Sequence, residues 1–255
     1  MKSAARLLAV GGGGDGTYRA GIEIRLDPNT ITYWRMPGEA GAPPVFSYSG
    51  SDNVAEARML FPAPRKFDEG GAAAFGYDHD VIFPLRVTAR DATRPVTLHV
   101  NLVYAACEKI CIPVRAEAQL PLPQTPPSGP FEDALAAFEA QVPVKQALGA
   151  DAALTITGVH ALEGDLAAGN GHFSVVGRLA GKPGRLDLFA EGPEGWYLEA
   201  GPVQAAPDGT FVALVTIAAM PKGSDVAATL FTFTLVAGDQ AIEVETRLDA
   251  KTATP

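Results

Sequence analysis

The chain has 255 residues, of which 47% are apolar and 19% charged, with a formal net charge of −9. That apolar content excludes disorder, and the acidity excludes an electrostatic binder of nucleic acid. No run approaches the roughly 18 consecutive apolar residues of a membrane span.

Met1-Lys2 and Ala4-Ala5 imitate the start of a signal peptide, but the apolar run Leu7–Val10 is too short for its core. It reads as a first strand at a mature start, any export signal having been removed, with a native cytosolic start as the alternative. Gly11–Gly14 reads as a flexible connection, since it lacks the Lys-Ser/Thr of a phosphate loop. Apolar and polar residues then alternate through Tyr18–Leu26, Val81–Val87 and Val96–Tyr104. In the last of these, Val96, Leu98, Val100, Leu102 and Tyr104 share one face. Turn signals at Asp27-Pro28-Asn29, Met36-Pro37-Gly38, Gly70-Gly71 and Arg90-Asp91 separate such segments, which predicts an antiparallel sandwich.

From Pro121 to Pro130 five of ten residues are proline, which reads as a stiff linker barred from any sheet ladder. Phe131, Leu135, Phe138 and Val142 follow at helical spacing, with Pro130 in the first turn and Pro143 as the stop. Strands resume at Ala153–Val159, His172–Leu179, Arg185–Phe189, Trp196–Glu199, Phe211–Ile217, Ala228–Val236 and Ala241–Leu248. Residues 1–127 carry 13 basic and 13 acidic side chains, and residues 128–255 carry 7 and 16. The fold class is therefore all-β: two immunoglobulin-like antiparallel β-sandwich domains joined by a Pro-rich linker and one short helix. The expected boundaries are 1–123, 124–149 for linker and helix, and 150–255.

The two cysteines, Cys107 and Cys111, ask for a chemical explanation. In an extended strand four positions span about 13 Å, far beyond bridging range. If they bond, Glu108-Lys109-Ile110 must turn the chain, which puts the pair at a hairpin tip near solvent. A bridge of that kind is labile and open to a partner thiolate. Lys109 would favour a thiolate and Glu108 would offset it. Redox exchange, an inert hairpin clip and Cu(I) binding all stay open. Two thiolates suit Cu(I), while zinc would need two further ligands. His79, His99, His160 and His172 lack ligand spacing to the cysteines and read as solvated, so no metal centre and no cofactor is expected. Asp78 and Asp80 read as turn acceptors. There is no HExxH and no GxSxG.

The segments Thr32-Tyr-Trp-Arg-Met-Pro-Gly38, Gly41-Ala-Pro-Pro44, Gly50-Ser-Asp-Asn-Val54, Phe61-Pro-Ala-Pro64 and Tyr104-Ala-Ala-Cys-Glu-Lys-Ile-Cys-Ile-Pro113 resemble a known family. It is the N-terminal periplasmic domain of the thiol:disulfide interchange protein DsbD, in its ScsB-like (suppressor of copper sensitivity) branch. The resemblance covers about residues 3–123, and the second half is similar to the extra β-sandwich of that branch. It implies a periplasmic immunoglobulin-like domain that takes electrons from a thioredoxin-like or membrane-embedded reductase. It would pass them to periplasmic disulfide proteins, copper-tolerance proteins included. Cys111 would then form the mixed disulfide and Cys107 resolve it. The family's aromatic cap loop corresponds to about Phe67–Phe75, with Phe67 or Phe75 as the shielding ring. Tyr33, Trp34, Tyr104 and Lys109 would border the site, ordinary core being an equal reading for Tyr33 and Trp34. The chain lacks the membrane helices and CxxC thioredoxin domain of the full-length reductases, which reads as a stand-alone member or a fragment.

Overall fold

The structure is a computed structural model that describes residues 3–124, 130–162, 171–181 and 184–248. It divides into two compact units, Met1–Val142 and Pro143–Pro255. In the first, the elements are β1 (Ser3–Gly12), β2 (Thr17–Leu26), β3 (Thr32–Gly38), β4 (Val45–Ser47), β5 (Val54–Met59), β6 (Arg65–Glu69) and β7 (Ala72–Tyr77). They continue with β8 (Val81–Ala89), β9 (Val96–Cys107), β10 (Cys111–Leu122) and α1 (Pro130–Glu139).

These strands form antiparallel sheets in the orders β1-β2-β8-β5, β10-β9-β4 and β3-β7-β6. The first two stack as a sandwich, and Leu7 and Ile22 share a small cavity with Val100 and Leu102. All five apolar residues expected on one face of β9 are buried. Strands β2 and β8 instead carry buried residues on both faces. The reason is α1, which covers the outer face of their sheet: Leu135 packs with Leu8, Val10 and Ile82. Arg19 donates two bonds to Glu139, at 3.1 and 2.6 Å, and Arg86 bonds the same carboxylate. Burial would raise the Glu139 pKa, but the two guanidiniums outweigh it and hold the carboxyl below its usual value.

Local expectations fail in four places, each for a physical reason. Gly11 and Gly12 belong to β1, which accommodates them through a bulge after Ala9. Pro121, read as barred from a ladder, lies within β10 and pairs with Thr97. Strand β10 is an edge strand, where a missing N–H costs no ladder bond. The helix stops at Glu139 rather than reaching Val142, because the residue before Pro143 is driven out of helical geometry. Phe131 stays 46% exposed, with the Arg6 guanidinium over its ring, so Ala134 and Phe138 complete the buried face.

The second unit holds β11 (Val144–Gln146), β12 (Leu154–Ala161), β13 (His172–Leu179), β14 (Leu186–Glu191), β15 (Tyr197–Ala200), β16 (Gln204–Ala205), β17 (Thr210–Ala219), β18 (Phe231–Ala237) and β19 (Gln240–Thr246). Its sheets run β11-β19-β18-β14 and β12-β13-β17-β15, with β16 added along β17. Phe173, Phe231 and Phe233 form its aromatic centre. The short β11 and β16 escape a periodicity reading. Strand β11 pairs in parallel with β19, the one parallel pair among the described residues. The mostly antiparallel, immunoglobulin-like all-β architecture is as expected.

Candidate functional site

Strands β9 and β10 form a hairpin whose register sets Cys107 directly opposite Cys111. The two are disulfide-bonded with Cα atoms 4.0 Å apart, and Glu108–Ile110 makes the turn the spacing demanded. Their surroundings are unequal. Ile31 exchanges both backbone hydrogen bonds with Cys107, at 2.8 and 2.9 Å, and the Thr32 hydroxyl donates to the Ala105 carbonyl at 2.9 Å. Cys107 is thereby locked into the sheet and is only 1% exposed. Cys111 opens β10 at the sheet edge and is exposed, between Ile110 and Ile112, which are also exposed.

Tyr33 of β3 reaches both sulfurs. Its hydroxyl oxygen lies 3.0 Å from Cys107 Sγ and 3.5 Å from Cys111 Sγ, and it donates to Glu69 Oε2 at 2.8 Å. The chain crosses close over this ring at Gly41, where a Cβ would meet Tyr33 Cδ1 at 2.5 Å. Burial, and then the Glu69 carboxylate, push the phenol pKa far above its ordinary value, so the group keeps its proton. A disulfide sulfur is a weak acceptor, and the proton therefore belongs to Glu69 while the bridge is closed.

Alternation along β6 aims Phe67 and Glu69 to the same side. Phe67 pairs with Ala74 and packs against the cluster of Tyr33, Ala74, Ala105 and Cys107. An open cavity of about 550 Å³ lies beside the disulfide, with Phe67, Glu69, Ile31 and Lys109 among its walls. The β6–β7 hairpin thus stands where the cap loop was expected, but its tip is Gly70-Gly71, both at positive φ.

The remaining sequence candidates separate clearly. Lys109 is on the cavity rim. Phe75 is one residue out of phase with Ala74, so it turns to the opposite face, where Lys66 lies 5.9 Å over its ring; it does not shield the sulfurs. Trp34, fully buried, likewise faces away from Tyr33 and stacks under Arg35. Tyr104 is core, with its hydroxyl 2.8 Å from Ser3 Oγ. His99 is not simply solvated: its ring nitrogens meet the Ser49 carbonyl at 2.6 Å and Glu117 at 2.8 Å. Neither aspartate caps its own turn: Asp80 accepts the N–H of Leu26 at the end of β2, 54 residues away, and Asp78 pairs with Arg65 and His79. Among the described residues no group of three or more His, Cys, Asp or Glu is placed to hold a metal. Sequence reasoning missed Glu69 and Ile31. The alternation Phe67-Asp68-Glu69 before a Gly-Gly turn was the available signal for the first.

Residues 5–123 match the sequence model of the family described as thiol:disulfide interchange protein DsbD, N-terminal. These residues belong to that family. The N-terminal periplasmic domain of ScsB from Proteus mirabilis is similar over 97% of this chain and 93% of that one, at 22% identity and a TM-score of 0.73. That likeness establishes the fold, and it extends beyond the DsbD N-terminal domain into the second unit. The reduced N-terminal domain of DsbD from Neisseria meningitidis is 18% identical over 46% of this chain and 83% of that one, with a TM-score of 0.28. No curated protein sequence matches the chain. In this DsbD N-terminal domain the cysteine pair therefore sits in a thiol–disulfide exchange family. No helix among the described residues is long and apolar enough to cross a membrane.

Proposed function

We propose that the DsbD-type domain is a periplasmic electron relay working through Cys107 and Cys111. It receives electrons from a thioredoxin-like or membrane-embedded reductase and passes them to periplasmic disulfide proteins. Copper-tolerance proteins among the recipients rest on the ScsB-like resemblance alone. The observation that carries the reading is the asymmetry of the bridge: Cys107 is buried and Cys111 exposed beside an open cavity.

The chemistry follows from that asymmetry. A partner thiolate attacks Cys111 Sγ, the Cys107–Cys111 bond breaks, and the electron pair leaves on Cys107 as a thiolate. The Tyr33 hydroxyl, 3.0 Å away, donates to that buried charge. The partner's second thiol then attacks the mixed disulfide and releases Cys111, so the partner leaves oxidised and the domain holds the dithiol. Discharge runs in reverse: Cys111 attacks a recipient disulfide and Cys107 resolves the complex.

Cys107→Ala should accumulate a mixed disulfide with an oxidised thioredoxin-like protein, visible on a non-reducing gel, and Cys111→Ala should accumulate little. Trapping mainly through Cys107 would reverse the two roles. No trapping by either variant would abandon the relay for Cu(I) binding or an inert clip.

A further inference from the structure

We infer that the cavity selects its thiol partners by charge: it takes a dithiol protein whose reactive sulfur is ringed by Lys or Arg, and it discriminates against anionic thiols. The inference rests on the exchange reading above and names the partner class of that same site. Asp68, Glu69, Glu108 and Lys109 stand on the cavity wall, three negative charges against one positive. Asp68 is held at the hairpin tip, where its carboxylate accepts the Gly71 N–H at 3.1 Å.

Two cations of β6, Lys66 and Arg65, are engaged elsewhere. Lys66 lies over the Phe75 ring on the far face of β6, and Arg65 pairs with Asp78 at 3.2 Å. The acidity is local rather than a reflection of the whole chain, because residues 1–127 balance 13 basic against 13 acidic side chains. Nothing covers it. The tip residues Gly70 and Gly71 carry no side chain, and a Cβ at either would meet nothing within 4 Å. Beside the charged rim, Ile110 and Ile112 are 76% and 42% exposed and flank Cys111. An apolar contact next to an acidic rim fits a partner with an apolar patch bordered by basic residues. Two net negative charges roughly 8 Å from an incoming unit charge change its encounter by about fivefold in water, and salt removes the effect.

The test uses the oxidised full-length protein and three small thiols: cysteamine, 2-mercaptoethanol and 3-mercaptopropionate. Their thiolates differ by one charge at each step, and rates are compared per thiolate after allowing for thiol basicity. At low ionic strength the rate should fall about fivefold per added negative charge, and the spread should shrink below about twofold at molar salt. Asp68→Asn with Glu108→Gln should collapse the spread, whereas Lys109→Gln should widen it. Equal per-thiolate rates at low salt, or a spread indifferent to these variants, overturn the charge selection while leaving exchange intact. Failure of all three thiols and of dithiothreitol to open the bridge instead overturns the exchange reading itself.

Discussion

Tyr33 has one proton and three acceptors within reach: Glu69 at 2.8 Å and the two sulfurs at 3.0 and 3.5 Å. We propose that which acceptor holds it depends on whether the bridge is closed, so that the residue takes part in the exchange chemistry as well as in packing. Tyr33→Phe keeps the buried ring and removes only the donor. A hydrogen bond to a charged group is worth about 1.5–3 kcal/mol, so the variant should lose roughly 10- to 100-fold in the rate of bridge opening. It should also raise the pKa of the Cys107 thiol in the reduced protein, because the buried thiolate loses its partner. The pH profile of reduction by dithiothreitol, together with thiolate absorbance, measures both. A role confined to packing would shift the melting temperature and leave the profile in place. An unchanged profile removes Tyr33 from the mechanism.

At the scale of elements, the β9–β10 hairpin shows what a sequence discloses and what it hides. Alternation made the buried face of β9 legible, and the four-residue cysteine spacing made the turn unavoidable. The far end of β10 was hidden by Pro121, since nothing local announces that a strand will lie at an edge. The Tyr33–Glu69 pair was hidden for another reason: 36 residues separate them, and only the register of β3-β7-β6 brings them together. His99 is a similar case. It lies in β9, and its two ring nitrogens meet the Ser49 carbonyl and Glu117 of β10, acceptors that can both be served only by the protonated ring. The Ser49 carbonyl and then Glu117 raise its pKa. The folded state thus binds the proton more tightly than the unfolded chain. The resulting stability is fully present below the unfolded value of about 6.5 and is lost as pH rises through the folded one. The His99 ring resonance should titrate with a midpoint above 6.5, and Glu117→Gln should lower it. The stability gap between the two proteins should narrow from pH 5.5 to pH 8.5. A gap that widens with pH would contradict the two-acceptor arrangement.

Over the whole molecule, the decisive fact is that the β1-β2-β8-β5 sheet is covered on both faces. One face meets β9 and β10 across the sandwich, and the other meets α1. A Pro-rich stretch before the helix suggested that the first domain ends near residue 123, yet the compact unit runs to Val142. We propose that the exchange domain is complete only with α1, and that the second unit, which carries no cysteine, contributes docking or spacing rather than chemistry. Two truncations separate these statements. A chain of residues 1–125 uncovers Leu8, Val10 and Ile82 and strips Arg19 and Arg86 of Glu139. Loss of one buried leucine contact of this kind costs about 2–5 kcal/mol, a large share of the ~5–15 kcal/mol that holds a domain together. Residues 1–142 should therefore unfold in urea at the midpoint of the first transition of the full chain, and 1–125 well below it. The longer piece should also be reduced by dithiothreitol at the full-length rate, because among the described residues the groups placed against the sulfurs all lie before residue 142. Equal stability of the two pieces would return the helix to the linker. A folded 1–142 that exchanges slowly would give the second unit a share in the site.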